Sequence, residues 1–153
     1  MGDDKLKAIL ENAQRAKANA EADRERKKAE EVSSMQEAGR LLAERALPRL
    51  LAAKTEWAGQ LDLKIEDKAT AGDFSGEVGN RRFPEVHFSA RNGMEEAGYI
   101  FRSSHPGYVS VLTGVGRNRG NSSDFFIEQL SQLTDDLIDQ ILARLVGTVH
   151  GFK

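Results

Sequence analysis

The chain has 153 residues, 22 Lys or Arg, 24 Asp or Glu and no cysteine, which suits one domain with a core of its own and excludes disulfides, thiol catalysis and cysteine-bound zinc. A net charge of −2 argues against a broadly basic nucleic-acid binder. Charged residues make up 30% of the chain, above the ~25% typical of globular proteins, so one segment must be unusually polar.

The N-terminal segment meets that description. Its start, MGDDKL, is acidic and lacks the apolar stretch of a signal peptide, and Leu6 stands where a myristoylation site needs Ser or Thr. No apolar run exceeds Leu50–Ala53, far short of a membrane span, so no membrane is expected as a partner and the expected location is cytoplasmic. Residues 3–47 are dominated by strong helix formers, which predicts a long N-terminal helix. Between Glu11 and Glu31 its only apolar residues are alanines, and a helix without a large apolar stripe cannot dock firmly on a core. Residues 1–31 therefore read as a charged, Ala-rich arm, helical or partly disordered, and residues 32–153 as an α+β domain. Leu6, Ile9 and Leu10 form a small apolar knot near the arm's start.

From Val32 a stripe appears at helical spacing, through Met35, Leu42, Ala46 and Leu50. Pro48 lies inside it, lacks an N–H and clashes with the preceding turn, so a kink or a second helix over Pro48–Ala58 is expected, ending near Gly59 with Trp57 as its anchor. The period then changes to two. Leu61, Leu63 and Ile65 alternate with Asp62, Lys64 and Glu66, and Val86, Phe88 and Ala90 alternate with Glu85, His87, Ser89 and Arg91, the pattern of half-buried strands. A short edge strand around Gly76–Phe83 is expected between them. Asn92-Gly93 signals a turn. Ala97–Ser103 and Tyr108–Gly114 flank Pro106-Gly107, the central pair of a type II turn, and predict a hairpin. Asn121–Asp124 offers N-caps for a long amphipathic helix running to about Val146, striped by Phe126, Leu130, Leu133, Leu137, Ile141 and Leu145. The expected fold is α+β: long N-terminal helix, antiparallel sheet of about four strands, and a long C-terminal helix packed on one sheet face.

Two surfaces could carry function. Leu61, Leu63, Ile65, Val86, Phe88, Tyr99, Phe101, Val109 and Val111 are expected to face the C-terminal helix. Ile100, Tyr108 and Leu112 then fall on the opposite face among His87, Arg91 and Arg102. Apolar residues among arginines mark a partner surface, unless the Val32–Leu51 helix covers them. The second surface is the loop Gly114, Gly116, Arg117, Arg119 and Gly120, expected after a strand and before a helix, where backbone N–H groups can hold an anion. Its glycine spacing is neither the dinucleotide fingerprint nor a P-loop. Arg81, Arg82, Arg91, Arg102, Arg117 and Arg119 could share one side of the sheet with Tyr108 to stack on a base, but residues 54–153 hold 11 basic against 14 acidic residues, a net of −3.

Catalytic signals are weak. His87, His105 and His150 have no metal-ligand spacing, Asp135 and Asp139 share a helical face as carboxylates usually do in solvent, and Ser103, Ser104 and His105 lack a nucleophile elbow. No catalytic residue, metal ligand or cofactor is expected. The leading expectation is a non-enzymatic protein-interaction or assembly module that self-associates or docks a partner protein. Anion or nucleic-acid binding through the sheet-face arginines and residues 114–120 is the alternative.

Overall fold

The computed structural model describes residues 2–70 and 83–149. It has an α+β layout: α1 (Gly2–Glu56), β1 (Leu63–Asp67), β2 (Glu85–Asn92), β3 (Glu95–Arg102), β4 (Ser110–Thr113) and α2 (Asp135–Val149). Short 3-10 turns occupy Gly116–Asn118 and Leu130–Gln132. The chain divides into two units, Met1–Ser33 and Ser34–Lys153. The expected edge strand around Gly76–Phe83 falls mostly outside the described residues, as do Arg81, Arg82 and His150.

In the first unit the helix is exposed from Asp3 to Glu31, as its lack of large apolar residues requires. Arg26 pairs with Asp23 one turn before it and Glu30 one turn after, contacts of small worth at such exposure. Leu6, Ile9 and Leu10 are each at least 60% exposed.

In the second unit α1 becomes amphipathic. Met35, Ala38, Leu42, Ala46 and Leu50 are buried. The helix runs through Pro48 without starting a second one, which corrects the expected break. Pro48 sits on the exposed side, and so does Glu44, whose carbonyl loses the proline's missing N–H; water can satisfy that carbonyl. Burial of Ala46 and Leu50 on the other side, both fully covered, holds the helix across the defect. The helix ends at Glu56, and Gly59 at φ 84° lets Leu61 N donate to Trp57 O at 2.9 Å.

The four strands form an antiparallel meander in the order β1-β2-β3-β4. Asn92 pairs with Glu95, which leaves Gly93 and Met94 as a two-residue turn; only Gly93 has positive φ, 64°, the pattern of a II′ hairpin. The β3–β4 turn is the expected one: Tyr108 N donates to His105 O at 3.0 Å across Pro106-Gly107, with Gly107 at φ 87°. Buried Ser103 holds this turn, its Oγ lying 2.9 Å from His105 O and 2.7 Å from Tyr108 O.

Register puts Val86, Phe101 and Val111 side by side across three strands, and Ile65, Phe88 and Tyr99 in the next row. These rows share one core with Leu42, Ala46 and Leu50 of α1 and Ile138, Ile141, Leu142 and Leu145 of α2. Each large side chain buried there contributes about 1.5–3 kcal/mol. The whole predicted inward set lies in this core or against it. Arg49 of α1 donates through Nε and Nη2 to Asp139 of α2, both at 2.7 Å.

The C-terminal helix is shorter than expected. It begins at Asp135, after Thr134, whose Oγ1 accepts from Leu137 N at 3.2 Å, and Asp135 and Asp136 suit the positive end of its dipole. Residues 121–129 instead return along the outer edge of β4. Thr113 N donates to Asn121 O (2.8 Å), Ser123 N to Val111 O (3.2 Å) and Val109 N to Glu128 O (3.1 Å). Asn121–Asp124 therefore caps no helix.

Gly39 separates packing from helix propensity. Gly→Ala within a helix ordinarily stabilises by roughly 0.5–1 kcal/mol. At Gly39 an added Cβ would collide with Ala69 O and lie 2.9 Å from its carbonyl carbon. Gly39→Ala is expected to lower unfolding stability by about 1–3 kcal/mol in urea titrations; a gain instead would mean that α1 does not press on residue 69.

Candidate functional site

The sheet face away from the core carries the cross-strand row Glu66, His87, Ile100 and Leu112. Ile100 is 2% exposed and Leu112 8%, so neither is available at the surface. Within the Val32–Leu51 helix, the buried residues from Leu42 onward join the opposite, inner-face core, whereas Met35 and Ala38 are buried outside it. The chain after β4 folds over this face: Val115 Cγ1 lies 3.0 Å from the position of a Cβ on Gly98, and Arg119 reaches His87. Of the other residues expected to form a partner surface, Arg91 and Tyr108 are exposed, and His87 and Arg102 are half-buried.

Four polar side chains form a chain across this face. Arg102 Nε donates to Glu85 Oε2 at 2.5 Å, Glu85 Oε1 lies 2.8 Å from His87 Nε2, and Arg119 Nη2 lies 3.2 Å from His87 Nδ1. A guanidinium can only donate, so the pattern assigns Nδ1 as acceptor and places the imidazole proton on Nε2, facing Glu85. Burial pushes the Glu85 carboxyl upward, but hydrogen bonds from His87 and Arg102 and the charge of Arg102 outweigh it and hold the group below its ordinary value of 4.5. With a depressed folded value, Glu85 contributes stability in full above pH 4.5, and loses it as pH falls through the folded value. Glu85→Gln should therefore flatten the acid limb of a stability–pH curve measured by urea unfolding; an unchanged limb would show that Glu85 is not ionised in this contact. Ile100→Asp buries an unpaired carboxylate and should unfold the second unit in circular dichroism. A folded variant would mean that this face is open.

The loop after β4 is closed on itself. Gly114 N donates to Gly98 O, Gly120 N to Thr113 O and Arg119 N to Gly116 O, and Gly116 and Gly120 take φ of 75° and 85°. The helix expected to follow it starts only at Asp135, so the loop does not lead into a helix N-terminus, which corrects the expected order of strand, loop and helix. Arg119 is engaged by His87. Arg117 is exposed, with no ion-pair partner among the described residues.

A feature that periodicity hid lies on the β4 edge. Opposite Ser110 the returning strand bulges outward over Asp124–Ile127, between the Ser123–Val111 and Glu128–Val109 hydrogen bonds. Phe125 turns inward, edge-on to Tyr99 at 5.8 Å, with the Arg144 guanidinium 5.7 Å above its ring. Arg144 also pairs with Asp124 at 3.1 Å, and Ser123 Oγ accepts from Phe125 N at 3.2 Å while donating to Val111 O at 2.8 Å. Ile127 packs on the core. Phe126, between these two anchors, is 84% exposed. It belongs to no helical stripe. Its signal in the sequence is the run Phe125-Phe126-Ile127, three large side chains that one helix face cannot all bury. Tyr108, 51% exposed, bridges Gln129 on the same edge.

A hollow of about 390 Å³ lies where α1 and α2 adjoin, lined by Ala52, Ala53, Trp57, Leu142 and Ala143 together with three charged side chains, Glu56 and the Arg49–Asp139 pair. Asp139 is thus tied to an arginine, which holds its carboxyl below the ordinary range, and does not pair with Asp135. No group of His, Asp or Glu among the described residues could hold a metal ion. No helix among them is long and apolar enough to cross a membrane.

The described residues define an α+β protein whose surface carries an exposed aromatic projection at Phe126 and a largely apolar hollow between α1 and α2. No family model, no curated protein and no solved structure matches the chain.

Proposed function

We propose that the chain is a protein-interaction or assembly module that docks through the β4 edge. The observation that carries this reading is Phe126, held outward on a bulge whose neighbours on both sides are anchored. Isolated exposed apolar residues are common and need no explanation. What sets Phe126 apart is that its frame is already ordered by Phe125, Ile127, Ser123 and the Arg144–Asp124 pair, so a partner that covers it has little entropy to remove. Aromatic anchors of this kind dominate interface energetics. Tyr108 extends the same edge. The alternative, binding of an anion or nucleic acid, draws support from Arg117 alone. Arg91 pairs with Glu96 at 3.3 Å, Arg102 with Glu85, and Arg119 with His87, so the other described sheet and loop arginines are already engaged.

A photo-crosslinking amino acid placed at position 126 of the full chain, expressed in cells, tests the reading against the same group at Met94. Met94 is fully exposed but sits on a hairpin tip. A discrete protein adduct from position 126 and none from 94 is the expected result. No adduct from 126, or the same smear from both positions, would sink the interaction reading, and an adduct with nucleic acid would replace it by the alternative.

A further inference from the structure

The unit Ser34–Lys153 carries both a projection and a hollow of matching chemistry, and we propose that they meet between molecules: Phe126 of one copy seats in the α1–α2 hollow of a second copy of this chain. The inference rests on the assembly reading and names its partner. The projection is a single aromatic side chain, 84% exposed, on a frame that leaves it nowhere to fold back. The hollow, at about 390 Å³, falls within the ~300–1,000 Å³ of small-ligand clefts, which leaves room for a benzyl group and part of its bulge. Its alanines and Leu142 offer an apolar bed, the Arg49 and Asp139 of its lining already pair with each other, and Trp57 offers an aromatic face for edge-on or offset packing.

Charge fixes the direction. Along α1 the residues 45, 49, 52 and 56 follow one another on one helix face. Arg49 is taken by Asp139, while Arg45 and Glu56 are exposed and have no ion-pair partner among the described residues. The α1 side of the hollow is therefore negative at Glu56, which lines it, and positive beyond it toward Arg45. On the projection, Glu128 is exposed and likewise has no ion-pair partner among the described residues. Seating Phe126 with Glu128 toward Arg45, and away from Glu56, pairs opposite charges and separates like ones. The contact joins two different surfaces, so it is heterologous: two reciprocal contacts close a dimer, and non-reciprocal ones extend a chain.

Light scattering on the size-fractionated full chain over a dilution series tests this. The wild type should exceed the monomer mass of 16.9 kDa, and emission of Trp57, the one tryptophan, should shift on association. Phe126→Ala removes the projection and Ala143→Phe fills the hollow. Each alone should give a folded monomer, and an equal mixture should regain a heterodimer through its one intact contact. Glu128→Arg or Arg45→Glu, both on exposed side chains, should each weaken association, and the two together should restore it. Association that persists in the folded single variants, or charge swaps without reciprocity, would overturn the inference while leaving assembly through another surface. A wild type that stays monomeric throughout the series would also overturn it, and the adducts from position 126 would then decide the wider reading separately.

Discussion

The return of residues 121–129 along the outer edge of β4 settles more of this unit than any other contact. Three backbone hydrogen bonds, from Thr113, Ser123 and Val109, commit the segment to extended geometry and keep it out of the following helix. Unpaired edge groups invite pairing with other chains, and this segment covers them from within. Because Ser123 and Glu128 are pinned to Val111 and Val109, only two residues apart, the intervening residues must loop outward. Alternation then sends Phe125 and Ile127 in and Phe126 out. The exposed aromatic is a geometric result of the pairing, and it stays in place as long as the edge does.

The opposite face of the sheet shows a different balance. A row of Ile100 and Leu112 lies under a chain of charged groups running from Arg102 through Glu85 and His87 to Arg119. Half-buried charges are tolerable only when each meets a partner, and here each does. Glu85 accepts from both sides, and the imidazole accepts on one nitrogen and donates on the other. The arrangement holds the loop after β4 against the face without an apolar anchor at Arg119.

Much of the fold was legible in the sequence because local chemistry and tertiary packing agree there. Period-two alternation over Leu63, Ile65, Val86 and Phe88 identified the core face, and Pro106-Gly107 identified its turn. Disagreement arose where packing overrode propensity. Pro48 reads as a break, yet buried neighbours and a solvent-facing carbonyl let the helix pass. Residues 123–134 place Phe126, Leu130 and Leu133 at helical spacing, but an open strand edge was available to them, and Thr134 offered a better cap than Asn121–Asp124. The partner face was the least legible. Whether Ile100 and Leu112 are covered depends on which segments fold over that face, which spacing does not encode. Phe126 was assigned inward for the same reason, since a single residue's direction follows from the register of a pairing many residues away.

The two described methionines sit in opposite surroundings. Met94, at the tip of the β2–β3 hairpin, is fully exposed, whereas Met35 on α1 is 6% exposed. Oxidation to the sulfoxide follows access to the sulfur and turns an apolar side chain polar. At Met94 the added oxygen enters water and disturbs no packing, so that thioether can absorb an oxidant at no cost to the fold. At Met35 the same oxygen must enter a packed interior, and it can do so only when the start of the buried stripe opens. Sulfoxide at position 35 against position 94 is thus a chemical record of how often this end of the core breathes.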